Sequence, residues 1–374
     1  MKRFWDTLIE PILDAARPKS IVEVGSDTGA NTRNLLTFCE KNDGVLHVVD
    51  PEPKYDVLEW RERYGDRFDF HRALSLEAIP RIDNFDLLLL DGDHNWYTVY
   101  NELKLIERLC EERSQPFPLV MLHDIGWPYE RRDLYYDPAA IPEAYRQPHS
   151  KRGTRPGQTE LLEEGGLNRQ FHKAVHEGGP RNGVLTAIED FLEETGQPVE
   201  LIKVPGFHKI GILLTPQVRE NVKLSKVLET WDLPAPVARH IEKIEETWLE
   251  TEIRRQDSQE RLKKLRSHLD EKVRNLRTKQ ERTKRDMQSV IGIITRVDIE
   301  NRRFVMVPEK KEDRTKENRT LFRFNKSLEV TVDGKDAEPK DLQKRQHAKI
   351  EYMMRKGKEI ALSVDVQSEP KKNK

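Results

Sequence analysis

The stretch "FDLLLLDGDH" (Phe85–His94) breaks abruptly from an apolar run into Asp91, Gly92, Asp93 and His94. A second stretch, "PLVMLHDI" (Pro118–Ile125), ends the same way in His123 and Asp124. Carboxylate oxygens hold hard divalent cations, and an imidazole with an unperturbed pKa of roughly 6.5 can move a proton near neutral pH. Structural duty competes for some of these groups. A lone Asp after a strand commonly caps the next helix, a role suited to Asp93 or Asn95 ahead of the helix that starts near Trp96.

The elements that must position these groups can be read from the pattern between Ile21 and Thr215. Short apolar runs ("IVEVG", "GVLHVVD", "RFDFHRA", "FDLLLLD", "PLVMLHD", "PVELIKVP", "HKIGILLT") alternate with amphipathic stretches. Continuous apolar strands separated by helices predict a parallel sheet covered on both faces. Only "PGF" separates the last two strands, too short for a helical crossover, so they are predicted to form an antiparallel hairpin at one edge. The expected fold class is α/β, a Rossmann-like mixed sheet of seven strands. Ligands of such sheets bind outside the carboxyl ends of the strands, where both polar breaks fall.

The 374 residues carry a formal net charge of -1, so no global field argues for nucleic acid or an anionic membrane. No run approaches the roughly 18 apolar residues of a membrane span. Cys39 and Cys110 lie far from any Cys/His cluster and are expected to be reduced thiols. A cytoplasmic protein is the expectation. Residues 1–215 are expected to form the α/β domain. Residues 216–287 turn strongly charged, with Ile241, Ile244, Trp248, Leu262, Leu265, Leu269 and Leu276 as a narrow apolar seam. That reads as a helical stalk packing on its own chain, or alternatively a coiled coil making a homo-oligomer. Over residues 288–368 the period becomes two, predicting five or six short strands in a small OB-like or SH3-like barrel, with Phe304, Phe322, Phe324 and Tyr352 as core. The tail from 369 to 374 is expected to be disordered.

The first strand ends in "VEVGSDTGANT" (Val22–Thr32). Gly25 and Gly29 permit a tight turn, but their spacing does not fit the Gly-x-Gly-x-x-Gly pyrophosphate turn, which disfavours NAD. Asp50 ends the second strand, where a carboxylate can accept from ribose hydroxyls. Glu23-x-Gly25-x-x-x-Gly29, Asp50 and "FDLLLLDGDH" in this order resemble a class I S-adenosylmethionine-dependent methyltransferase. The "LDGDHNWY" and "VMLHDI" pair resembles its metal-dependent O-methyltransferases, of the catechol, caffeoyl-CoA and cephalosporin-hydroxylase-like kinds. The resemblance covers roughly residues 1–215.

The resemblance implies that Glu23, Gly25, Ser26 and Gly29 surround the methionine and ribose portion of S-adenosylmethionine, with Asp91 beside them. It implies that Asp50 holds the ribose hydroxyls, and that Leu74 and Ser75 neighbour the adenine, although the common acidic residue is absent there. It makes Asp91 and Asp124 metal carboxylates with His123 as an unusual third ligand, and His94 falls where catechol-type enzymes keep a catalytic lysine. Such a set makes chemical sense. A divalent cation acidifies and orients a hydroxyl and a nearby histidine takes its proton, which assigns catalysis to His94 and Asp91. Mg2+ suits two aspartates, whereas His123 admits Mn2+ or Fe2+.

Residues 126–183 form an insertion too long for an ordinary connection and are expected to be a lid over the substrate. Within it, Arg131 and Arg132 could engage an anionic acceptor, and Trp127, Tyr129, Tyr135 and Tyr136 could stack on a sugar or aromatic ring. His172 and His176 have the i, i+4 spacing of a helical metal pair, but without a third ligand in the motif the favoured reading is solvated or lid-packing histidines. The leading reading is an O-methyltransferase acting on a hydroxyl of a small molecule or glycan. The alternatives are a scaffold acting through stalk and barrel, or a nucleic-acid methyltransferase, disfavoured because Asp91-Gly92-Asp93-His94 stands where Asn/Asp-Pro-Pro-aromatic would be expected.

Overall fold

The computed structural model describes residues 1–315 and 317–367; the tail expected at 369–374 lies outside the described residues. The chain divides into two units, Met1–Leu262 and Lys263–Lys374. In the first, α1 (Glu10–Ala16) precedes β1 (Ser20–Val24), α2 (Ala30–Asn42), β2 (Val45–Val49), α3 (Val57–Tyr64), β3 (Phe68–His71), α4 (Ser75–Ala78), β4 (Leu87–Leu90), α5 (Trp96–Glu112) and β5 (Leu119–His123). The insertion contributes β6 (Leu134–Tyr135), β7 (His149–Ser150) and β8 (His172–Ala174). Then follow α6 (Val184–Glu194), β9 (Glu200–Val204), β10 (Ile210–Leu214), α7 (Pro216–Arg219), α8 (Val222–Glu229) and the long α9 (Ala235–Arg285), which contains the division between the units.

The first sheet has the order β3-β2-β1-β4-β5-β10-β9, with β10 antiparallel to both neighbours and the other pairings parallel. β1 and β4 are buried along their whole length because alternate side chains feed two cores. Ile21, Leu87 and Leu89 join the core on one face, while Val22, Leu88 and Leu90 join the other. Burying each such side chain stabilises the sheet by roughly 2 kcal/mol. The order reverses between β1 and β4, so the ligand crevice opens where Glu23 and Asp91 emerge.

The structure bears on three of these expectations. The α/β unit does not end at residue 215, because Leu224 and Leu228 of α8 are buried in the core that also contains Leu8 and Leu13. Of the expected seam of α9, Trp248 packs beside Leu167, Leu249 and Ile253, the last two buried helix residues outside that seam, whereas Ile244, Leu262, Leu265, Leu269 and Leu276 are exposed. His172 and His176 are not on a helix, since β8 pairs with β6 and β7 in a small sheet, and His176 Nδ1 lies 2.5 Å from Glu160. Both cysteines are buried and free. Among the described residues, no helix is long and apolar enough to cross a membrane.

The second unit holds β11 (Met287–Asp298), β12 (Arg303–Pro308), β13 (Thr320–Arg323), β14 (Glu329–Val332), β15 (Lys335–Ala337), β16 (His347–Arg355) and β17 (Lys358–Gln367), in the order β13-β12-β11-β16-β17-β14-β15. β15 is one strand beyond the expected number; Asp333 and Gly334, both at positive φ, turn β14 back on itself to form it. Phe304, Phe322 and Phe324 are buried with Ile350 and Val364, and Tyr352 packs against them, so the aromatics build a core.

Candidate active site at the carboxyl ends of the first sheet

The polar ends of β4 and β5 converge. His123 Nδ1 lies 3.0 Å from Asp91 Oδ1 and 3.2 Å from Asp124 Oδ2, and His94 Nε2 lies 2.5 Å from Asp124 Oδ2 and 3.8 Å from Asp91 Oδ1. Ligand atoms of Asp91, His123 and Asp124 all fall within 4.8 Å of one another. Asp124 holds a left-handed backbone, φ 60°, rare outside glycine and common at functional sites. Its buried Oδ1 has no hydrogen-bond partner.

These groups are mutually charged. Burial opposes the charge on His123, but Asp91 and Asp124 outweigh it and lift its pKa to about 10. Burial likewise opposes His94, and Asp124 outweighs it to give about 8. Burial alone would raise Asp91, yet His123 holds it at about 2; the same balance holds Asp124 well below the ordinary carboxylate value. With both imidazoles protonated, two positive charges face two carboxylates in this largely buried cluster.

Beside this cluster lies the crevice, lined by Glu23, Gly25, Ser26, Asp27, Asn31 and Asp91 among others, with Met1 and Lys2 on its wall. The Met1 amine donates to Asp91 Oδ2 at 2.7 Å. Asn31 Nδ2 donates to Glu23 Oε1 at 2.9 Å, while Glu23 Oε2 and Asn31 Oδ1 are buried without partners. Burial lifts Glu23 to about 7. Asp50 Oδ2 accepts from the backbone and hydroxyl of Ser26, both at 2.8 Å, and Oδ1 accepts from Glu52 N at 2.8 Å, so Asp50 also holds the glycine turn. The glycines have a packing reason of their own. A Cβ on Gly25 would stand 2.2 Å from the Asp91 carbonyl oxygen, and one on Gly29 would stand 2.4 Å from the Trp60 ring. Ser75 is buried at the start of α4 and Leu74 is exposed, neither of them on the wall of this crevice. A wider depression at the amino ends of the strands carries only Arg17 and Asp86 as charged groups, and Asp86 is engaged by the Lys19 and Ser20 amides.

Asn95, not Asp93, caps α5, accepting from Thr98 N at 2.9 Å; Asp93 accepts from the Thr98 hydroxyl. Of the six insertion residues expected to meet substrate, two stand at the cluster. Tyr129 sets its ring edge-on to His94 with centroids 5.5 Å apart, and Tyr136, 55% exposed, stands 6.1 Å from the same ring. Arg131 pairs with Glu189 on α6. Arg132 is fully buried, donating to the carbonyls of Ala174 at 2.6 Å and Val175 at 2.8 Å, and Tyr135 is buried and donates to Asp133 at 2.7 Å. These three are engaged within the fold: Arg132 satisfies carbonyls that the short strands leave open, Tyr135 braces Asp133, and Arg131 ties the insertion to α6. Trp127 packs against Leu167, Leu249 and Ile253.

Sequence reasoning missed Phe207, whose carbonyl accepts from His123 Nε2 at 3.1 Å, and Phe4, which packs edge-on to His123. It also missed Asp133, whose Oδ1 accepts from the amides of Trp96 and Gly183, both at 2.7 Å, tying both ends of the insertion to α5. An acidic residue inside a tyrosine-rich loop was the only available signal.

Residues 22–125 match the family model described as "Methyltransferase domain", a span that runs from β1 to just past Asp124. A curated relative, "O-methyltransferase hkm8" of Aspergillus hancockii, is 31% identical over 117 residues, 30% of this chain. The chain spans 44% of the length of that relative. Among solved structures, the SAH-bound methyltransferase PaMTH1 of Podospora anserina is similar at 12% identity, over 55% of this chain and 75% of that one, with a TM-score of 0.33. A putative caffeoyl-CoA O-methyltransferase from Staphylococcus aureus is similar at 11% identity, over 55% and 80%, with a TM-score of 0.29. The family match and the sheet order support a class I, Rossmann-like methyltransferase domain in the first unit.

Proposed function

We propose that the protein is an S-adenosylmethionine-dependent O-methyltransferase, divalent-metal-assisted, acting on a hydroxyl of a small molecule or glycan. The observation that carries this reading is the meeting of Asp91, His94, His123 and Asp124 beside the Glu23 crevice. The residues present fit both groups. Glu23 Oε2 and Asn31 Oδ1, buried acceptors without partners, suit the ammonium of a methionine moiety, and Asp50, at the carboxyl end of β2, is read as the carboxylate for the ribose hydroxyls. Asp91, His123 and Asp124, with the unpartnered Asp124 Oδ1, are a donor set for one divalent ion, and the imidazole favours Mn2+ or Fe2+ beside Mg2+. When bound there, such an ion supplies the positive charge that acidifies an acceptor hydroxyl.

The chain's own residues do the rest. In its neutral form, populated above about pH 8, His94 takes the hydroxyl proton, and Asp124, 2.5 Å from its Nε2, stabilises the imidazolium that forms. Tyr129 fixes the His94 ring from one side, while the open ring of Tyr136 offers a stacking surface to an aromatic or sugar acceptor. The insertion screens the site from water and so strengthens each charge interaction. Calorimetry with S-adenosylmethionine, followed by transfer of labelled methyl to a panel of hydroxylated aromatics and glycosides, tests the reading. Absence of cofactor binding refutes it and favours a scaffold; undiminished turnover in EDTA removes the metal from it. The second unit is read as a small barrel, supported by the pairing of β13 with both β12 and β17, and exposed Leu265, Leu269 and Leu276 support self-association through α9.

A further inference from the structure

A second cluster of ligating side chains lies on the sheet edge, apart from the Asp91 cluster. Parallel pairing sets His47 of β2 opposite Asp69 of β3, and His71 is two residues beyond Asp69 on the same strand face. Their neighbours Leu46, Val48, Phe68 and Phe70 fill the core on the opposite face, which fixes the orientation of all three. One oxygen, Asp69 Oδ2, lies 2.9 Å from His47 Nδ1 and 3.1 Å from His71 Nε2, and the three ligand atoms are all within 4.8 Å of one another. Both imidazoles are largely buried, with side-chain exposures of 17% and 16%, while Asp69 is 48% exposed. His71 Nε2 is a buried nitrogen that makes no hydrogen bond despite its nearness to the carboxylate.

We propose that His47, Asp69 and His71 form a binding site for a late first-row divalent ion of the Zn2+ class. Two imidazole nitrogens and one carboxylate oxygen are the ligand types such ions select, in contrast to the oxygen-only sets of Mg2+ and Ca2+. Ligands at about 2.0–2.1 Å from a tetrahedral ion stand roughly 3.3 Å apart, so the two observed separations need to open by only a few tenths of an ångström. The exposed side of Asp69 leaves room for water to complete the coordination. The ion would tie the edge strand β3, which has β2 as its one neighbour in the sheet, across to that neighbour. The His71 backbone carbonyl accepts from the Asp50 amide at 3.1 Å, so the tie steadies the strand end that carries the proposed ribose carboxylate.

The test is equilibrium dialysis of the full chain, first stripped with chelator, against Zn2+, with bound metal counted per chain. The double variant His47→Asn and His71→Asn is expected to bind one Zn2+ fewer than the parent, and His71→Asn alone to weaken that site at least tenfold. In the parent, Zn2+ should slow amide exchange across residues 45–49 and 68–71; this reading needs no variant and separates the edge site from an ion held at Asp91. Equal Zn2+ stoichiometry in parent and double variant overturns the proposal, as does unchanged exchange in β2 and β3 at saturating Zn2+.

Discussion

Glu102 on α5 offers a quantitative test of how the fold prices a buried carboxyl. It is 2% exposed, its Oε1 is buried without a hydrogen-bond partner, and burial, together with the nearby charge of Asp93, lifts its pKa from 4.5 to about 8. A carboxyl whose folded pKa lies above its unfolded value stabilises the fold fully below the unfolded pKa, and that contribution is lost as pH rises toward the folded value. The loss accrues at about 1.4 kcal/mol per pH unit, amounting to about 3 kcal/mol by pH 7. Glu102→Gln keeps the shape and removes the titration, so the variant should gain on the parent by that slope between about pH 5 and pH 8. An amide left short of partners would cost a constant amount of about 1–3 kcal/mol at every pH, which shifts the curve without changing its slope. Urea denaturation of both proteins at half-unit intervals over this range measures the difference directly. A parent-minus-variant stability that stays flat with pH would refute the argument.

Three further outcomes are expected. Gly25→Ala should abolish S-adenosylmethionine binding in calorimetry and lower stability by more than about 2 kcal/mol, because its Cβ meets the Asp91 carbonyl; retained binding with a loss below about 1 kcal/mol would refute the close approach. Arg132→Met should destabilise by about 3–5 kcal/mol, leaving the Ala174 and Val175 carbonyls unpaired, and limited proteolysis should then cut within residues 126–183; unchanged protection would restore a solvent-facing role for this arginine. Leu224→Ala should cost about 2–5 kcal/mol in the unfolding of the first unit, and a loss below 1 kcal/mol would detach α8 from its core.

The strands of the first sheet were legible because a strand buried on both faces must be apolar throughout, and because the crossover helices carry their own period. Asp91, His123 and Asp124 were legible for a related reason: polar groups that interrupt such a run can only stand at its end, and parallel strands end together. The insertion was far less readable. Arg131, Arg132 and Tyr135 looked like acceptor contacts, since long polar side chains in a loop are ordinarily exposed; here Arg131 pairs with Glu189, Arg132 satisfies the carbonyls of Ala174 and Val175, and Tyr135 donates to Asp133, so all three are consumed by the structure. The i, i+4 spacing of His172 and His176 carried no metal pair, because spacing has meaning only once the local period is known, and both histidines belong to the packing of the insertion.

Local pattern by itself therefore determined the sheet, its ligand end and the side chains that emerge there, all consequences of burial along a contiguous segment. Tertiary structure alone decided which of those side chains touch. It set His94 on Asp124, brought the Phe207 carbonyl to His123, and aligned His47 with Asp69 across two strands. Such contacts join residues far apart in the chain, and the register that aligns them is fixed by the packing of the whole core.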